Sequence, residues 1–165
     1  MITIHKSKIT KDRTLNVEYT ESDNGGKPNK VSKECAQVCD KDLVKAFDKL
    51  KLHFVMLCEL VEGQDLDYET FDPEKQLVDF KVTSLAINKT NDGVILTGQK
   101  KLQDDYVWCF NTRLCKYGNE NEPYEYADEL KADIEKCVDE TNAYLFKKKW
   151  GITQLELTPD EKQQD

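Results

Sequence analysis

Two stretches of this chain follow the same plan, one after the other, at an offset of about 76–79 residues, with Ile9 opposite Ile87 at 78. An internal repeat constrains a fold more than any composition does, because each copy must fold alike and bury its apolar side against the other. The first copy opens with Ile2-Thr3-Ile4-His5-Lys6-Ser7-Lys8-Ile9, turns at Lys11-Asp12-Arg13 and resumes with Leu15-Asn16-Val17-Glu18-Tyr19. The second opens with Phe80-Lys81-Val82-Thr83-Ser84-Leu85-Ala86-Ile87, turns at Asn91-Asp92-Gly93 and resumes with Val94-Ile95-Leu96-Thr97. β-Branched residues in partial alternation, broken by turn residues, predict a strand, a tight turn and a strand in each. Asp92-Gly93 is the stronger turn signal, since glycine accepts a positive φ without steric cost. A third strand is expected over residues 30–38 in the first copy and 106–114 in the second.

Each copy then closes with a helix. Asp40 suits the N-cap of the first, where a carboxylate accepts free backbone N–H groups. Leu43, Phe47, Leu50, Phe54, Leu57 and Val61 follow at spacings of three or four, which places them on one helical face, and Gly63 is the expected stop. In the second helix Pro123 suits the first turn. Ala127, Leu130, Ile134, Cys137 or Val138, Thr141 and Leu145 form the apolar stripe. Acidic residues crowd its start and Lys147-Lys148-Lys149 its end, which complements the helix dipole. The predicted fold is α+β: a pseudo-two-fold repeat of two βββα units, an antiparallel sheet with two long amphipathic helices packed on it. The units span residues 1–64 and 77–151, joined by an acidic linker at 65–76 and followed by a polar tail at 152–165, within one compact domain.

The chain has 165 residues and a net charge of −8. Residues 1–64 carry 11 basic and 10 acidic side chains, and residues 65–165 carry 13 and 22. An acidic total weighs against long-range attraction to nucleic acid, though it leaves room for a local basic face. Lys6, Lys8, Lys11, Arg13, Lys27, Lys30 and Lys33 supply such a face, or merely protect a solvated sheet edge. No apolar run reaches the ~20 residues of a membrane span. The opening Met1-Ile2-Thr3-Ile4-His5 lacks the plan of a secretory leader, so a cytoplasmic location with no membrane partner is expected.

No catalytic motif stands out. The six cysteines (Cys35, Cys39, Cys58, Cys109, Cys115 and Cys137) are expected to be reduced, and their spacings are not those of common zinc sites. Cys58 and Cys137 read as small core residues on the helices. His5 and His53 have no Cys or Asp partner nearby in sequence. The helical acids are expected on the solvent side. Asp65, Asp67, Asp72 and Asp79 lack the spacing of a calcium loop. The chain is therefore read as a non-enzymatic protein with no metal and no cofactor.

The feature with the clearest binding chemistry is the alternation of Tyr106, Trp108 and Phe110, which projects three rings from one side of a strand. Exposed rings there would stack on bases, with Lys100, Lys101 and Arg113 beside them for phosphates. The same strand, packed rather than exposed, would instead serve the core or an oligomer interface.

Gly93-Val94-Ile95-Leu96-Thr97-Gly98-Gln99-Lys100-Lys101-Leu102, Phe110-Asn111-Thr112 and Tyr144-Leu145-Phe146 resemble a family of small uncharacterised proteins of tailed bacteriophages. Asp42-Leu43-Val44-Lys45-Ala46-Phe47 and Leu57-Cys58-Glu59-Leu60 extend the resemblance over most of the chain. It implies a phage-encoded protein of the host cytoplasm, from genes that sit near replication and recombination functions. The doubled sheet-and-helix plan is also similar to the Whirly and PUR single-strand-binding repeats, whose units usually have four strands where three are read here. The expected function is an accessory of DNA replication or recombination that binds single-stranded DNA. The alternative is a protein-interaction module, acting on a host or phage protein (for instance against a defence system) or assembling as a homo-oligomer.

Overall fold

The computed structural model describes residues 1–23 and 25–151. The expected polar tail, residues 152–165, lies outside the described residues. The fold is an antiparallel sheet with helices on one face. In chain order come β1 (Ile2–Ile9), β2 (Thr14–Glu21), β3 (Asn29–Val38), α1 (Lys41–Asp48), α2 (Lys51–Leu57), β4 (Phe80–Ile87), β5 (Gly93–Lys101), β6 (Val107–Asn111), β7 (Cys115–Lys116) and α3 (Ala127–Phe146). The strand order is β3-β2-β1-β4-β5-β6, and β7 pairs with β5 beyond the end of β6.

The halves of the sheet meet where β1 pairs with β4, at Lys6↔Ala86, Ser7↔Leu85 and Lys8↔Ser84. The β1–β2 register slips between Ile4 and Lys6, and the β4–β5 register slips between Val82 and Ser84. Each slip leaves one residue, His5 or Thr83, without a partner, as a β-bulge does.

Alternation along the strands sorts the side chains. Leu15, Val17 and Tyr19 of β2, Phe80, Val82 and Leu85 of β4, and Leu96 of β5 are buried under the helices. The helices cross over the sheet. α1 and α2 follow β3 but pack on β4 and β5, while α3 packs on β1 and against α1. The hydroxyls of Ser7 and Thr141, 2.9 Å apart, tie α3 to the centre of the sheet. The opposite sheet face carries no helix among the described residues.

The first helix differs from expectation. It is two short helices rather than one long one, and the break falls at Lys49-Leu50, where Leu50 N–H turns to Phe47 C=O. The physical reason lies in what surrounds the second piece. α1 is amphipathic, but Leu52, His53, Phe54 and Val55 are all fully buried, so α2 has no solvent face. The sheet lies on one side of it, and the segment after it returns over the other. Lys51 Nζ donates to Pro73 C=O of that segment, and Tyr68 reaches α3. The chain leaves α2 through Glu59, at φ 56°, and not at Gly63, which sits in a short 3-10 turn. α3 starts at Ala127, past Pro123, and its acids do not all face solvent: Asp133 and Glu140 are buried.

The β4–β5 turn lies at Asn91-Asp92 as expected, but glycine is not the residue that takes the positive φ. Asn91 takes the positive φ of 56°, and the Asp92 carboxylate accepts from Asn88 and Thr90. Gly93 is needed for a close approach instead, because a Cβ there would stand 2.7 Å from Cys115 C=O.

Candidate functional site

Among the described residues β6 is an edge strand, paired only with β5, through Thr97↔Asn111 to Lys101↔Val107. Gly98 faces Phe110 in this register, and Phe54 of α2 fills the space that a side chain at Gly98 would take. The Phe54 and Phe110 rings stack at 4.7 Å between centroids, and Trp108 continues the row at 4.7 Å from Phe110. The row therefore starts in the core and runs out to solvent. Phe110 is half-buried, whereas Trp108 is 51 % exposed and Tyr106, just before the strand, is 72 % exposed.

The three cations expected beside these rings are each matched to a carboxylate. Lys100 Nζ lies 2.6 Å from Glu62 Oε1 and over the Phe80 ring at 5.5 Å. That bond holds the Glu62 carboxyl below its usual range. Lys101 pairs with Asp105 at 3.3 Å, and Arg113 with Glu122 at 2.7 Å. The six residues do not share one surface. Trp108 stands opposite Lys100 on the helix side of the sheet, while Lys101 stands opposite Val107 on the open side. Arg113 lies beyond the end of β6.

The open side carries a second set of cations. Ser7 touches α3, so its neighbours Lys6 and Lys8 project from the other face. By the same alternation Lys30 of β3, Lys81 of β4 and Lys101 of β5 share that face, with Glu18 and Glu34 the acids among them. The strands together hold eight lysines and three glutamates, in a chain of net charge −8. Charge is thus divided by layer: the sheet is basic, and the helices and connections are acidic. Among the described residues, Lys6, Lys8, Lys30 and Lys81 make no ion pair. At one end of this face His5, Glu18, Thr20, Lys30, Ser32 and Lys89 line a shallow groove of about 660 Å³.

Sequence reading missed a buried polar network. His53 is fully buried, with Nε2 2.8 Å from Asp133 Oδ2 and Nδ1 2.8 Å from the Tyr124 hydroxyl. An ionised Asp133 only accepts, so Nε2 carries the proton of that bond. Tyr68 also donates to Asp133, at 3.1 Å. Burial, followed by the Asp133 charge, pushes the Tyr68 phenol up to about 12, and burial raises Tyr124 as well. The partners come from positions 53, 68, 124 and 133, too far apart for spacing to reveal them.

Two further clusters gather side chains of the kinds that bind metals. Asp40, Asp42 and Glu140 bring carboxylate oxygens within 4.8 Å of one another. The Lys149 ammonium already lies 2.9 Å from both Asp42 and Glu140, and Asp40 caps α1. All six cysteines are free. The Cys35/Cys39 and Cys109/Cys115 pairs belong to opposite ends of the sheet, so they do not combine into one four-thiolate site. No helix among the described residues is long and apolar enough to cross a membrane.

Compared with family models, curated proteins and solved structures, the chain gives no match.

Proposed function

We propose that this protein is a non-enzymatic binding protein that takes single-stranded nucleic acid across the open face of its sheet, as an accessory of phage DNA replication or recombination. The observation that carries this reading is the division of charge by layer. A chain of net charge −8 keeps an uncovered sheet face on which Lys6, Lys8, Lys30, Lys81 and Lys101 outnumber Glu18 and Glu34. Lysines on a flat face track a phosphate backbone without reading sequence. A strand leaving that face round the β6 edge would reach the exposed ring of Trp108, which stands on the helix side. The resemblance to tailed-phage proteins supplies the setting.

The two halves are read as one unit used twice. Ser7 and Leu85, the central pair of the β1–β4 contact, stand at the repeat offset of about 78 residues, and so do the unpaired His5 and Thr83. Both coincidences are what a two-fold axis between Ser7 and Leu85 would produce, and they support the repeat.

The test is a titration of a labelled single-stranded oligonucleotide at low and moderate salt. With about four phosphate contacts, and a slope of about −0.7 each, affinity should fall ~50-fold between ~50 and ~200 mM salt. Lys6→Glu together with Lys8→Glu should weaken binding at least tenfold, while Trp108→Ala should weaken it less and leave the salt slope unchanged. Absence of binding at micromolar protein and low salt would overturn the reading. It would favour the second one, a host or phage protein as partner, which is supported by the carboxylate pairing of Lys100, Lys101 and Arg113 beside an uncharged strand.

A further inference from the structure

We infer that β6 is a homodimer interface, in which two copies of this chain pair their β6 strands antiparallel about a two-fold axis at Cys109. This inference stands apart from the nucleic-acid reading. The backbone shows which groups are available. Leu102 N–H donates to Tyr106 C=O and Thr112 N–H donates to Leu96 C=O, so even-numbered residues of this stretch hydrogen-bond inward in the β5–β6 register. In an antiparallel pair the two kinds of position alternate. The N–H and C=O groups of Val107, Cys109 and Asn111 therefore point outward; no described strand pairs with them, and their one described contact is the Cys58 thiol, 3.9 Å from Asn111 C=O.

The outer edge has none of the devices that keep strand edges apart. From Tyr106 to Thr112 there is no charged residue and no proline. The other edge of the sheet, β3, carries Lys30, Lys33 and Glu34. Charged side chains block edge pairing, and an uncharged apolar edge invites it.

The occupant is a second copy because the edge is complementary to itself. Cys109 is the middle residue of β6. Pairing about it sets Val107 opposite Asn111 of the other copy and Trp108 opposite its Phe110, which extends the aromatic row across the axis. Asp105 and Arg113 stand four residues to either side of Cys109, with opposite charges. The same symmetry brings each Asp105 toward the other copy's Arg113, twice, where the two would exchange their in-chain partners Lys101 and Glu122 for each other. The pairing would join the two sheets into one and make their open faces continuous.

Sedimentation equilibrium tests the state, and cross-linking tests the register. The expected result is a dimer at micromolar protein, cross-linked by a short bismaleimide through Cys109, the exposed cysteine, and not cross-linked in Cys109→Ser. Cys109→Lys places two ammonium groups at the axis and should raise the dissociation constant at least tenfold with unchanged circular dichroism. Arg113→Asp should weaken the dimer, and Asp105→Arg in the same chain should restore it. A monomer at all concentrations up to ~100 µM, about the affinity of a weak interface, would overturn the inference. So would a dimer that Cys109→Lys leaves intact.

Discussion

His53 shows how a residue that looks unremarkable in sequence becomes central in the fold. It carries no motif, yet it is fully buried with both ring nitrogens engaged, by Asp133 and Tyr124. Removing one partner of a buried charged hydrogen bond costs more than forming it gained. His53→Ala should therefore destabilise the protein by ~2–4 kcal/mol, read as a lower urea midpoint at constant slope. Tyr68→Phe removes a weaker, half-exposed partner of the same carboxylate and should cost ~1 kcal/mol. Equal effects of the two substitutions would show that the histidine is packing and not hydrogen bonding. Asp133 was unreadable for the same reason as His53. Helical periodicity assigns charged residues to the solvent side, and only a tertiary partner can reverse that assignment.

At the scale of elements, the strands follow their pattern and the helices depart from it where the environment changes. β-Branched alternation located β1, β2, β4 and β5, because one side of each faces the helices. The first helix breaks at Leu50 since α2 is enclosed on every side, which a one-face stripe does not anticipate. Contact between α2 and β5 depends on Gly98. A Cβ there would stand 2.6 Å from Lys81 C=O and 2.8 Å from the Phe54 ring. Gly98→Ala should cost ~1–3 kcal/mol by overpacking. It should also loosen the Phe54–Phe110–Trp108 row, seen as a shifted tryptophan emission relative to the parent protein. An unchanged midpoint and spectrum would show that the ring moves aside without cost. Glycine in a strand signals a bulge or a close approach, but the ring that approaches is 44 residues away in sequence.

For the whole molecule, the titrating groups favour the folded state over a definite pH range. Burial pushes the phenols of Tyr68 and Tyr117 up to about 12 and the Cys39 thiol up to about 11. These groups keep their protons in the fold and lose them more readily when unfolded. Their contribution is fully present below the unfolded value, about 10 for tyrosine, and disappears as pH rises through the folded one. The melting temperature should be level on this account up to about pH 8, begin to fall near 9, where the unfolded Cys39 thiol ionises, and fall steeply between about 10 and 12. A melting temperature unchanged at pH 11 would contradict the burial of these groups. The sequence by itself determined the local plan: antiparallel hairpins, closing helices, an acidic chain and an aromatic strand. Those follow from backbone sterics, periodicity and composition, which act within a few residues. The tertiary structure alone decided that the helices cross to the opposite half of the sheet, that the rings and the free lysines face opposite ways, and that His53 meets Asp133. Each of these depends on which faces are brought together, and that is set by packing between segments tens of residues apart.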